Sequence, residues 1–441
     1  MGIAQFFKLK QNNTSIRTEL LAGITTFVAA MYIIVVNPAI VSATGMPFPA
    51  VLTATVILSA FCTIMMGLYA NNPILVAPGM GLNAFFTYAV VLGMGVKVEV
   101  ALGALFWAGV LFFILSIFNI RTLIVKAIPK QLRYAVACGI GIFIAFIGFT
   151  NAGFIINKPP IIGISSMNAG IITFLAGLII TAILSVKKVK GALILGIIIT
   201  TVLSIPIGRL WGNVSAANHG IATLVTWKGF FAAPDFSLLF KLDFVNSLKL
   251  AVWPVIFAVL FTDMFDSLST FVGVAEAAEI VDKNGEPRNI KQSLVVDSVA
   301  TGLSGILGTT SGTAYIESAS GVLAGGRTGL TAVVAGLLFI PFMFFSPLLS
   351  MIPSIATAPV LVLVGVFMMK PVLNINWKKY DDAIPCFLAM ILIPLSYSIT
   401  QGIIWGFLSW TILKVVCGKF KEISLTLIII DILSILLLVV G

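Results

Sequence analysis

Charge is scarce in this chain. Of its 441 residues, 10% are Asp, Glu, Lys or Arg, against about 25% in soluble globular proteins. Apolar residues make up 59% and mean hydropathy is +1.13. A large water-soluble domain is excluded, and an all-α polytopic membrane protein is expected. Histidine is scarcer still: the one residue, His219, falls in a connection expected outside the membrane. Proton transfer inside the bilayer therefore cannot use imidazole, and a carboxylate has to carry it. The four cysteines, Cys62, Cys138, Cys386 and Cys417, lie in or beside apolar runs without CxxC spacing. Neither a disulfide framework nor a thiolate metal site is expected. No Lys or Arg falls at expected mid-membrane depth, which argues against phosphate, sulfate or carboxylic-acid ligands. No cleavable signal is expected either, because residues 1–18 are polar and basic and the first apolar run is long enough to span.

What is present is a succession of fifteen apolar runs, from 19–42 to 424–440. Threading them alternately places the basic clusters on one side. These are Lys8, Lys10 and Arg17; Arg121, Lys126, Lys130 and Arg133; Lys187, Lys188 and Lys190; Lys283, Arg288 and Lys291; and Lys370, Lys378 and Lys379. By the positive-inside rule that side is the cytoplasm, with the N-terminus on it. The net charge of +10 is this loop bias and not a nucleic-acid footprint. The connections 151–168 and 209–248, the second with Trp211, His219 and Trp227, fall outside. The run 424–440, which contains Asp431, is either a further span or a helix at the interface.

Two runs are too broken to be plain helices. Residues 308–321 read Gly-Thr-Thr-Ser-Gly-Thr-Ala-Tyr-Ile-Glu-Ser-Ala-Ser-Gly, and residues 77–83 read Ala-Pro-Gly-Met-Gly-Leu-Asn. Gly, Pro and Thr at this density do not make continuous helix, yet better helices are expected from near Asn83 and Glu317. Broken backbone at membrane depth is tolerated only where it is buried in protein or lines a cavity. The two breaks occupy corresponding places. The first and eighth runs open near 19 and 249, and the breaks centre near 78 and 312, giving offsets of 230 and 234. Seven spans separate the halves, an odd number, so the second half is expected inverted relative to the first. Paired broken segments in inverted halves point to a transporter site.

Of the 16 acidic residues, eleven, Glu19 and Asp381 among them, fall in loops or at span ends and read as solvated charge. Asp263, Asp266, Asp297, Glu317 and Asp431 lie inside apolar runs. Glu317 combines depth with broken backbone, and an intramembrane carboxylate is functional by default. Asp263 and Asp266 share one helix face at i and i+3; either serves as the span-eight ligand. Asp297, near a span end, reads as structural. Asn83 offers an amide to a ligand or caps a helix. Thr25, Thr26, Tyr32, Phe261 and Tyr315 add hydroxyl or ring contacts. Carboxylates, an amide, exposed backbone and aromatics together suit a flat neutral heterocycle with ring N–H donors.

The segments Ala77–Phe86, Asp263–Thr270 and Thr310–Ser318 resemble the signature segments of the nucleobase–cation symporters (the nucleobase:ascorbate transporters), most closely the adenine/guanine/hypoxanthine permease branch. Ser269 stands where that family commonly has Gly. The resemblance runs through nearly the whole chain. It implies fourteen transmembrane segments in a seven-plus-seven inverted repeat, with a short strand and a half-helix in spans 3 and 10. A core domain would comprise 1–130 and 246–350, and a gate domain 131–245 and 351–441. It implies purine import by proton symport across the cytoplasmic membrane, with no cofactor beyond the coupling proton. Glu317, Asp266 or Asp263, and Asn83 would bind substrate, with Gly81, Leu82, Phe261, Tyr315, Ile316 and Thr26 around it. Glu317 and Asp266 would handle the proton. The competing readings are an anion carrier of the same architecture, a membrane-embedded enzyme and a passive channel. The absence of a GxGD motif and the sharing of one helix by Asp263 and Asp266 weigh against an intramembrane aspartyl protease. Purine preference, proton stoichiometry and oligomeric state, a homodimer included, are left open by the sequence.

Overall fold

The computed structural model describes residues 2–118, 129–158, 161–211, 225, 228–278 and 287–424, and six residues between 427 and 435. His219 and Trp227 lie outside the described residues, as do Arg121, Lys126 and Lys283. Among the described residues, eight helices are long and apolar enough to cross a membrane. The helices that frame the site, short ones included, are α1 (Ile16–Ala30), α2 (Ile33–Val41), α3 (Phe48–Met65), α4 (Met80–Ala84), α5 (Val98–Ile117), α6 (Lys130–Asn151), α7 (Trp253–Ala278), α8 (Ile290–Leu307), α9 (Ser318–Leu323), α10 (Gly329–Phe339), α11 (Ser354–Phe367), α12 (Tyr380–Ser396) and α13 (Ile399–Val416).

Small residues set the helix packing, because apolar lipid supplies no hydrophobic drive between helices and close backbone approach has to supply the attraction. Gly109 of α5 lies so close to Gly302 of α8 that a Cβ on Gly109 would sit 2.2 Å from the Gly302 nitrogen. Gly67 and Gly329 meet in the same way: a Cβ on Gly329 would lie 1.9 Å from the Gly67 carbonyl oxygen. One group of contacts joins α5 to α8, α1 to α10, and α3 to α10; a second joins α6 to α11 and α12, and α12 to α13.

Both broken runs are strand followed by helix. Val76–Pro78 (β1) leads into α4, and Gly312–Ala314 leads into α9. The two strands pair antiparallel, Val76 opposite Ala314 and Pro78 opposite Gly312. Gly79 N–H donates to Ser311 O and Tyr315 N–H to Leu75 O, each at 2.9 Å, extending the ladder by one bond at each end. The outer edges of this two-stranded sheet are satisfied by hydroxyls. Thr63 of α3 donates to Val76 O at 2.9 Å and accepts from Val76 N–H at 3.0 Å; Ser267 of α7 accepts from Ala314 N–H at 3.4 Å. At membrane depth each of these groups would otherwise lack a partner, at a cost of several kcal/mol.

In the connection 151–168, Ile155–Lys158 (β2) and Ile161–Ile164 (β3) form a hairpin, and Gly312–Ala314 is β4. Three expectations change. The first apolar run is two helices, stepping at Met31 and Tyr32. Glu19 is not a solvated charge. It is fully buried and accepts from Arg327 N–H at 2.9 Å, Thr331 N–H at 3.2 Å and the Thr331 hydroxyl at 2.6 Å. A carboxylate facing the unsatisfied first-turn N–H groups of α10 is stabilised there both by hydrogen bonds and by the helix dipole. Asp381 likewise has built partners: it lies 2.7 Å from the Nζ of Lys414, which is 1% exposed and also meets Asp382 and Glu422 at 2.8 Å each. In the run 424–440 the six described residues between 427 and 435 are helical, and Asp431 accepts from Thr411 of α13 at 2.6 Å.

Candidate functional site

The β1–β4 pairing places the starts of α4 and α9 at opposite ends of one short sheet, so the two half-helices diverge from a common centre. Around that centre lie most of the residues singled out from the sequence. Glu317 occupies the N-cap position of α9 and is partly exposed. Its Oε1 accepts from the Tyr32 hydroxyl at 2.7 Å. Ile316 beside it is 51% exposed, so this turn is not packed on every side. Asp266, on α7, is also partly exposed, and its charge and that of Glu317 act on each other. Tyr315 is buried, and its hydroxyl donates to the Pro78 carbonyl, tying one break to the other. Phe257, Phe261 and Phe265 form a stack along α7 with ring centroids 6.3 Å apart.

Asp263 lies elsewhere. It is fully buried; its Oδ2 accepts from Ser311 at 3.0 Å and from the Thr301 hydroxyl. The two aspartates are three residues apart on one helix, which turns them about 60° from each other. That turn sends Asp263 toward α8 and the Gly-Thr run, and leaves Asp266 with Glu317. Asn83 is fully buried on α4. It does not cap the helix: the N-cap is Gly79, and Asn83 N–H already donates to Gly79 O at 2.8 Å. Its Oδ1 accepts from Thr310 at 2.5 Å, and its Nδ2 has no hydrogen-bond partner among the described residues. Gly81 and Leu82 are buried; a Cβ on Gly81 would lie 2.5 Å from Ile140 Cγ2 of α6, so Gly81 is a packing contact. Thr26 is also a packing residue. It is fully buried, and a Cβ on Gly321 would lie 1.9 Å from its hydroxyl.

A buried amide-hydroxyl network was not anticipated. Asn37 of α2 donates to Thr55 at 2.7 Å and to Thr309 at 2.9 Å, and its Oδ1, 3.0 Å from the Thr310 hydroxyl, shares that hydroxyl's one proton with Oδ1 of Asn83. Thr310 thus sits between Asn37 and Asn83, fastening the Gly-Thr run to α2, α3 and α4. The signal was an Asn directly before Pro38 within an apolar run; a buried amide there has to find partners. On α6, Asn151 Nδ2 donates to the hydroxyl of Tyr88 at 2.8 Å. Among the described residues no three His, Cys, Asp or Glu side chains gather to hold a metal ion.

Two half-helices diverging from an intramembrane pair of strands, with carboxylates at the crossing, define the fold of a membrane transporter. The solved structures agree. The transmembrane domain of the cyanobacterial bicarbonate transporter BicA matches 88% of this chain and 97% of its own, with a TM-score of 0.61 at 18% identity. SLC26A9 matches 91% of this chain and 66% of its own, with a TM-score of 0.64 at 11% identity. Residues 17–405 match the Permease family, Xan_ur_permease, and the chain belongs to it, within the nucleobase:ascorbate transporters. Among its relatives, the adenine permease AdeP of Escherichia coli (strain K12) is 38% identical over 99% of this chain and 96% of its own length. The guanine/hypoxanthine permease PbuO of Bacillus subtilis (strain 168) is 41% identical over 97% of this chain and 98% of its own.

Proposed function

We propose that this permease is a secondary active importer of purine nucleobases, driven by proton symport across the cytoplasmic membrane. The observation that carries the reading is the pair of partly exposed carboxylates, Glu317 and Asp266, beside two backbone breaks. Carboxylates accept the ring N–H groups of a neutral purine; the unpaired Nδ2 of Asn83 and the backbone around Tyr315 and Ile316 meet its acceptors; and Phe261 offers a ring face. Full-length relatives named as adenine and guanine/hypoxanthine permeases support the substrate class. Glu317 or Asp266 carries the coupling proton. Asp263, engaged by Thr301 and Ser311, holds α7 to the Gly-Thr run and does not touch substrate.

In this reading the chain has fourteen spans in two inverted halves and its N-terminus in the cytoplasm. Residues 1–130 and 246–350 form the core domain, and 131–245 and 351–441 the gate domain. The two groups of helix contacts, α5–α8 and α1–α10 against α6–α11 and α6–α12, support that division. Core movement against gate gives alternating access, and a homodimer is the proposed assembly. The solved anion carriers share the fold, but the partly exposed carboxylates Glu317 and Asp266 repel anions, so an anion carrier is the weaker reading.

The test is uptake of labelled adenine, guanine and hypoxanthine into cells lacking their own purine carriers. Saturable uptake that an uncoupler abolishes is expected. Absence of uptake of any purine by well-expressed protein rejects the substrate class. Unchanged uptake with the uncoupler rejects the proton coupling, and non-saturable flux indicates a channel.

A further inference from the structure

Tyr32 stands at the step between α1 and α2, within a stretch that reads as one apolar run. It is 1% exposed. A phenol hydroxyl buried that completely is costly unless it finds a partner. Its partner is Oε1 of Glu317, at 2.7 Å and 285 residues away. The other titratable groups acting on this pair are Asp266 of α7 and Tyr315. From α1, which also packs on α9, the nearby side chains Thr25 and Thr26 do not titrate, and Glu19 is engaged at the far end by Arg327 N–H and Thr331.

We propose that Tyr32 is a positioning residue for Glu317. It fixes the plane of the carboxylate by holding one oxygen, so that the remaining lone pairs keep one orientation before any ligand arrives. The inference rests on the proposed function only for the identity of that ligand. The chemistry favours such a device. A glutamate has three side-chain torsions to order, and a ligand that must order them binds more weakly than one meeting a fixed carboxylate. Each carboxylate oxygen has two lone pairs, so the bond from Tyr32 and a bond from a ring N–H coexist.

Tyr32→Phe removes the hydroxyl and leaves the ring. The KM for the transported purine is expected to rise about tenfold, the scale of one hydrogen bond to a charged group. The maximal rate should stay within about twofold, because the acceptor itself remains. In the Glu317→Ala background, which leaves Tyr32 no acceptor there, Tyr32→Phe should have no further effect on purine binding. A spectroscopic readout needs no substrate. The carboxylate stretching bands of Glu317, isolated as the infrared difference between wild type and Glu317→Gln, should shift in purified Tyr32→Phe protein. The same bond is read from its other end by the tyrosine ring C–O band, which should shift in Glu317→Gln, so failure of Tyr32→Phe to accumulate leaves the proposal testable. Unshifted bands in either variant overturn the positioning role whatever the substrate. Shifted bands in a protein that takes up no purine overturn the purine reading alone.

Discussion

The two half-helices that meet at the centre of this transporter are built alike and used differently. Each follows a three-residue strand, and the strands pair with each other. Yet α4 is buried throughout and packs on α6 through Gly81 and Ile140, with Tyr88 bonded to Asn151 further along. The second, α9, packs on α1 and α7, and exposes Ile316 and Leu323, the latter at 77%. The first brings a neutral amide, Asn83, and the second a carboxylate, Glu317. Symmetry of backbone supplies a helix start at each end of the strand pair; packing buries the first and leaves the second partly exposed.

The largest expected effect separates the two ligand positions. Glu317→Gln should lower initial uptake rates by about two orders of magnitude or more at normal membrane abundance, since charge-assisted bonds are lost. Asn83→Ala, which loses neutral bonds, should cost about tenfold or less. Equal losses in the two variants would erase the distinction between charged and neutral halves.

Next come the two aspartates of α7. Asp266→Asn should abolish uptake while the protein still elutes as a single species in detergent. Asp263→Asn should instead lower thermal stability, because Thr301 and Ser311 lose a charged acceptor, by about 1.5–3 kcal/mol. The reverse pattern would make Asp263 the ligand.

The glycine contacts give a third comparison. A Cβ on Gly321 meets the Ala22 carbonyl at 2.6 Å as well as Thr26, whereas one on Gly81 meets the Ile140 side chain. Both Gly321→Ala and Gly81→Ala should destabilise by about 1–3 kcal/mol. Only the second should be rescued by trimming its neighbour, with Ile140→Ala. Melting temperatures of the single and double variants decide it.

Smallest is Tyr88→Phe. It removes one neutral bond between α4's continuation and α6, so stability should fall by about 1 kcal/mol. Cysteine accessibility on the α4 side should rise if that contact holds the face closed; unchanged accessibility would make the bond incidental.

Much of this was readable along the chain. Hydropathy marked the apolar runs, and among the described residues eight helices are long and apolar enough to cross a membrane. The density of Gly, Pro and Thr marked both breaks, and the rarity of charge made Glu317 conspicuous. Purely local signals could not say more, since the decisive partners are remote in sequence. That β1 pairs with β4, that Tyr315 reaches Pro78, and that Tyr32 reaches Glu317 are contacts across more than two hundred residues. Asp263 and Asp266 look interchangeable at i and i+3; a 60° turn against a neighbouring helix makes one a buried fastener and leaves the other beside Glu317. Glu19 looks like a loop charge until α10 begins against it. Composition and periodicity report how far each residue lies from water, so they established a membrane carrier and the positions of its irregular segments. Which polar groups face each other depends on helix rotation and packing, and that was settled only when the chain closed on itself.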